Sequence, residues 1–184
     1  MHAKDEDGLA ALGCALRTWG RPMSAQDIQS AICATQLLGE SSVADYEFSF
    51  GPTGVRSPDL EADLNTLYLL EMVRTHTAND KELFEYLGKG KQINSKDRFA
   101  LPDCDLTVLG IIALLRSEKN LVSYSDLANE AKMLYPWADD ARIDECIALI
   151  ETKTEQSRKT TRTRYGLHAD AEAARNGDLF ELKP

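Results

Sequence analysis

Hydrophobic positions in the first part of the chain follow a helical period. Leu9, Leu12, Leu16 and Trp19 fall on one face of a 3.6-residue repeat, which predicts a helix over 8–19 that Gly20-Arg21-Pro22 stops. Ser24, with Asp27 three residues on, opens a second helix that turns Ile28 and Ile32 inward and ends near Gly39. Residues 43–50 alternate loosely and predict a short strand, which Gly51-Pro52-Thr53-Gly54 breaks. Ser57 then stands as N-cap before Pro58, with acids at 59, 61 and 63 suited to the positive end of a helix dipole. The inner face expected of this third helix is Leu60, Leu64, Leu67 and Tyr68. Val73–Thr77 and Glu82–Leu87, joined through Ala78-Asn79-Asp80, predict a two-stranded hairpin.

The second half is helical in pattern. Between Leu106 and Leu115 apolar residues surround almost the whole helix, as in a buried central element. Ser123 with Asp126 predicts the cap of a helix carrying Leu127, Ala131 and Leu134, broken by Tyr135-Pro136-Trp137. Asp139 or Asp140 starts another, with Ile143, Ile147 and Ile150 on one face. The stretch from Thr152 to Arg164 is polar and basic and predicts a mobile tail, with a short helix over 168–175 closed by Asn176-Gly177. The expected fold is therefore mostly α (α+β). A winged helix-turn-helix-like N-terminal half over 1–88 and a basic linker over 89–102 lead to a helical domain over 103–156. That domain is itself open to reading as a second winged helix, and a basic segment follows over 157–184.

Residues Tyr46 to Val73, read as an aromatic strand, Gly51-Pro52, Ser57 and a helix with Leu60, Asp63-Leu64 and Leu67, resemble the central motif of the YwgA-like proteins. They are also similar to the Panacea domain of SocA-like antitoxins. Asp105–Arg116, followed by Pro136 and an Ile-rich helix, is similar to the helical half that follows in that group. The resemblance implies a prokaryotic accessory protein of mobile elements, toxin–antitoxin modules or phage defence that acts by binding. It implies no catalytic site.

Candidate chemistry adds little to this. There is no G-x-S-x-G, no phosphate-cradling glycine loop and no H-E-x-x-H, so no enzyme is expected. The Gly51–Gly54 turn precedes a helix whose own acids already supply negative charge, so it reads as structural rather than as an anion site. Asp103 and Asp105 read as helix-starting acids. Cys14, Cys33, Cys104 and Cys146 have spacings of 19, 71 and 42, and His2, His76 and His168 are scattered, so neither a metal nor a cofactor is expected. Cys14, Cys33 and Cys146 are expected as buried free thiols on helices. An acidic N-terminus and no long apolar run predict a cytoplasmic protein without a membrane segment.

The charge is uneven, and this changes the expected partner. The net charge of −9 resolves into −8 over 1–88, +3 over 89–100, −6 over 101–152, +4 over 153–164 and −2 over 165–184. The third helix, with its carboxylates, is ill suited to DNA. Asp59, Glu61, Asp63 and Thr66 are the candidate protein-binding residues, for a toxin, a defence protein or a host protein. Lys89, Lys91, Lys96, Arg98, Arg158, Lys159, Arg162 and Arg164 are the candidate phosphate contacts of an alternative reading, a DNA-binding regulator. A further alternative is a phage-encoded acidic DNA mimic. A homodimer is left open.

Overall fold

The computed structural model describes residues 3–38, 45–88, 103–119 and 123–155. The chain divides into two compact units, Met1–Ala148 and Leu149–Pro184. The expected basic positions 89, 91, 96, 98, 158, 159, 162 and 164 lie outside the described residues, as does the helix expected over 168–175.

In the first unit, α1 (Ala3–Trp19) buries Leu12, Ala15 and Leu16 and ends with the Gly20 N–H donating to the Leu16 carbonyl. A two-residue strand, β1 (Met23–Ser24), leads straight into α2 (Ala25–Leu37). Ser24 serves both elements. Its Oγ accepts from the Asp27 N–H and donates to the Asp27 carboxylate at 2.8 Å, closing the expected cap.

The region between α2 and α3 is a ribbon of β2 (Ser49–Gly51) and β3 (Gly54–Arg56), paired Phe50 to Val55. Only its first strand was expected from the sequence. Gly54 is required here twice over. Its φ is +137°, and a Cβ would lie 2.5 Å from Gln26 Nε2. α3 (Pro58–Leu69) then begins as the sequence predicts, with Ser57 as N-cap and Pro58 in the first turn. β4 (Val73–Ala78) and β5 (Lys81–Tyr86) form the expected hairpin. The positive φ of both Asn79 and Asp80 gives the two-residue turn the twist that antiparallel strands favour. β5 pairs on its other side with β1, Met23 opposite Phe84, so the sheet order is β1-β5-β4, antiparallel throughout.

α4 (Leu106–Lys119) is buried at every position from Leu106 to Leu115, as its all-round apolarity predicts. It lies against α2, α5 (Tyr124–Leu134) and β3. Thus the second half packs on the first within one unit, across the boundary that the sequence places at 88. The approach is tight at Gly110, where a Cβ would stand 3.0 Å from Ser30 Cα and Cβ and 3.1 Å from Val55 Cγ2. Asp105 caps α4, its Oδ1 accepting from the N–H groups of Thr107 and Val108. Ser123 precedes α5, but its hydroxyl shares a hydrogen bond with Ser125 rather than capping with Asp126. Residues 140–148 are helical, begin after Asp139, whose carboxylate accepts from the Ala141 N–H, and bury Ile143, Cys146 and Ile147.

Of the second unit, residues 149–155 are described and are helical. Thr152–Glu155, expected as the start of a mobile tail, are therefore ordered, and the Thr154 hydroxyl donates to the Ile150 carbonyl at 2.7 Å. The fold as a whole is mostly helical with a small antiparallel sheet. Among the described residues, no helix is long and apolar enough to cross a membrane.

Candidate protein-binding face

The four acidic and hydroxyl positions singled out on α3 have different fates. Asp59 is exposed. Glu61 is held by Arg56 from the preceding strand through two parallel hydrogen bonds, Nε to Oε1 at 2.9 Å and Nη2 to Oε2 at 2.7 Å. This ion pair is open to solvent on both sides and orients Arg56 more than it stabilises the fold. Asp63 accepts from the Tyr46 hydroxyl at 2.7 Å, and Thr66 returns its hydroxyl to the Ala62 carbonyl. Glu61 and Asp63 therefore face their own chain, and their sequence signature as exposed acids reflects how α3 is anchored.

That anchoring continues from α2, whose glutamines the helical period would leave in solvent. Gln29, almost wholly buried, accepts from the Ser57 N–H at 2.7 Å and donates to the Ser57 carbonyl and to Glu61 at 3.4 Å. Two turns later Gln36 does the same for Tyr46, donating to its carbonyl at 2.9 Å and accepting from its N–H at 3.2 Å. Gln26 adds contacts to the Val55 carbonyl and the Thr53 hydroxyl. One face of α2 thus fixes both ends of the segment that carries the ribbon. No periodicity could have indicated it, because the amides pair with backbone atoms rather than with patterned side chains.

Tyr46 is the aromatic key of this segment. Its ring is buried, and its hydroxyl lies 3.3 Å from the Gly8 carbonyl as well as against Asp63. Burial, the hydrogen bond to Asp63 and the charges of Asp63 and Asp59 all push its ionisation well above the ordinary tyrosine range. In the unfolded chain the phenol ionises near pH ~10. The stability it contributes is therefore complete below that pH and is lost as the pH rises beyond it. Tyr46→Phe is expected to cost about 1.5–3 kcal/mol at neutral pH, because the lost bond is to a charged acceptor. The gap between the two proteins should narrow from pH ~9.5 to ~11, read by urea titration at each pH. Parallel profiles for the two proteins would show that Asp63 does not hold the phenol.

The exposed part of α3 is its other end. Tyr68 is half exposed, which corrects its expected place on the inner face, because the turns that follow α3 leave it uncovered. Leu69 is 79% exposed and Leu70 57%, and Met72 and Leu87 continue the apolar ledge. The chain leaves the helix through two bonds, Met72 N–H to Leu67 carbonyl and Glu71 N–H to Tyr68 carbonyl, both at 3.0 Å. This is a Schellman turn, and Glu71 takes the left-handed position with φ +57°, where glycine is usual. The turn brings Met72 beside Leu67, and the two side chains help wall a groove of about 370 Å³. Leu9, Ala10 and Gly13 of α1 and Tyr86 of β5 complete its apolar lining. Cys14, expected as a buried thiol, is only partly buried, because it lines this groove.

Among the described residues, no group of three or more His, Cys, Asp or Glu side chains is placed to hold a metal ion. No protein-family model matches this chain, and no curated protein or solved structure does so either.

Proposed function

We propose that this protein is a non-enzymatic adaptor or antitoxin-like regulator that binds a partner protein through the C-terminal end of α3. In this reading the first unit is a winged helix-turn-helix-type module. Support for that outline comes from the element order and from the sheet order β1-β5-β4, with α2 and α3 lying between β1 and the hairpin. The observation that carries the binding role is the run of exposed Tyr68, Leu69 and Leu70 meeting the Met72 groove. An apolar patch that is continuous with a cleft is costly to leave in water and favours a protein ligand. Glu71 is exposed beside the ledge while Arg17 lines the groove, so apolar surface rather than net charge is what favours a protein partner over a phosphate backbone. The resemblance to SocA-like proteins suggests that this partner is a toxin or defence protein in a prokaryotic cytoplasm.

The test uses the full chain purified from cells of its native host, with and without Leu69→Lys and Leu70→Lys together. Both side chains are exposed, so the double variant should keep the wild-type denaturation midpoint. It should bind the co-purifying protein at least about 30-fold more weakly, as expected for removing a hot spot worth about 2 kcal/mol. Wild-type protein with no stoichiometric partner, or a variant that keeps its partner undiminished, would overturn the reading.

A further inference from the structure

Cys104 and Cys146 are separated by 42 positions in the sequence, yet the fold brings their thiols side by side. The Cys146 thiol also donates to the Asp105 carbonyl at 3.6 Å, which fixes it beside the turn that carries Cys104. One helical turn before Cys146, the Arg142 guanidinium binds the Asp105 carboxylate at 3.2 Å. The turn at 103–105 and the helical residues 140–148 are thus joined by two separate contacts around one pair of sulfurs. Cys104 is partly exposed and lies outside any helix, whereas Cys146 is buried.

We propose that Cys104 and Cys146 form a reversible disulfide, with Cys104 as the thiol that meets the oxidant and Cys146 as the thiol that resolves it. A disulfide places its sulfurs about 2.05 Å apart. Neighbouring thiols must approach further to reach that length, and Cys104 stands in a bend outside any helix, where the chain is not held by helical hydrogen bonds. The two thiols are also differentiated. The neighbouring Cys146 thiol lowers the pKa of Cys104 against the opposing effects of burial and of Glu145, Asp105 and Asp103. The proximity of Cys104, then burial, raises that of Cys146.

The oxidant is a low-molecular-weight disulfide such as oxidised glutathione. The Cys104 thiolate attacks one of its sulfurs, forming a mixed disulfide and expelling one glutathione thiolate. Cys146 then loses its proton to solvent and attacks the Cys104 sulfur, expelling the second glutathione thiolate. The sum is two protein thiols and one glutathione disulfide converted into one protein disulfide and two glutathione molecules. The new bond closes a loop containing α4 and α5. It fastens the start of the central helix to residues 140–148, so the oxidised protein should resist unfolding more than the reduced one. Cys33 is a built-in reference, because it is fully buried against the Gly110 carbonyl and its thiol is pushed up by burial, then by Glu118.

The experiment equilibrates the native full chain with graded ratios of reduced to oxidised glutathione, quenches with acid and maps the cysteines by mass spectrometry. The expected result is a Cys104–Cys146 linkage at ratios that leave Cys33 free, with a higher thermal midpoint for the linked form. Cys146→Ser should trap glutathione on Cys104, and Cys104→Ser should leave Cys146 unmodified. Wild-type protein that accumulates glutathione on Cys104 without the internal linkage would overturn the proposal. So would a linkage that forms only in urea, or equal yields of bonds to Cys14 or Cys33.

Discussion

Replacing Gly110 with leucine is expected to lower the unfolding free energy by about 3 kcal/mol, with alanine at the same position costing about 1 kcal/mol. The reason is the nature of the neighbour. A Cβ at 110 meets the Cα of Ser30 at 3.0 Å, and a backbone atom in the middle of α2 cannot swing aside as a side-chain terminus would. Alanine would raise the helix propensity of α4 by roughly 1 kcal/mol, so a net loss on Gly110→Ala isolates the packing cost. Leucine must push α4 off α2 and off Val55 of β3 at once, in an interior with no slack. Urea titrations of the three proteins, monitored by tryptophan fluorescence and by circular dichroism, measure the series. A Gly110→Leu protein as stable as wild type would mean that α2 and α4 do not cross at these two residues.

The second large effect is expected at Gln29. Gln29→Leu keeps the volume and apolar contacts of the position but removes the acceptor of the Ser57 N–H, which is buried with its residue. A buried donor left unpaired costs about 1–3 kcal/mol, and the start of α3 should bear that cost. Hydrogen exchange gives the local signature. The Ser57 and Leu60 amides should exchange faster by more than the global loss of stability explains, while amides of β4 and β5 follow the global change. Uniform acceleration across the unit would show that Gln29 acts through general packing and not through this clamp.

The two predictions bear on what the amino-acid pattern made legible. The start of α3 was readable to the residue, because Ser57-Pro58 and the acids that follow combine three independent preferences for a helix N-terminus. The β4–β5 hairpin was readable from its β-branched and aromatic arms, and the burial of α4 from its unbroken apolar surface. β1 was not readable. A strand of two residues has no period, and its reason to exist is the free edge of β5, some 60 positions further on. β3 was hidden in the same way, its three residues lying just beyond a glycine turn that reads as a break.

At the candidate face, the acids singled out from the sequence and the exposed apolar residues lie at opposite ends of α3. Acids read as surface signals, whereas Glu61 and Asp63 are spent on Arg56 and Tyr46. Tyr68 read as core, because an apolar residue at the end of an amphipathic helix has the same letter whether or not a neighbour covers it. The thiol pair was unreadable for a topological reason. Cys104 and Cys146 meet only because α4 and α5 fold back between them, and nothing in the local spacing of either records that return.

The amide clamps on α2 carry one more consequence. Gln29 and Gln36 bind main-chain atoms of Ser57 and Tyr46, not their side chains. The two ends of the ribbon are therefore gripped by groups that every amino acid except proline possesses. Length is constrained, since both clamps must be reached, but the identity of an exposed residue of this segment such as Glu47 is nearly free. This stretch of chain is a cassette whose surface can be rewritten while its docking stays the same.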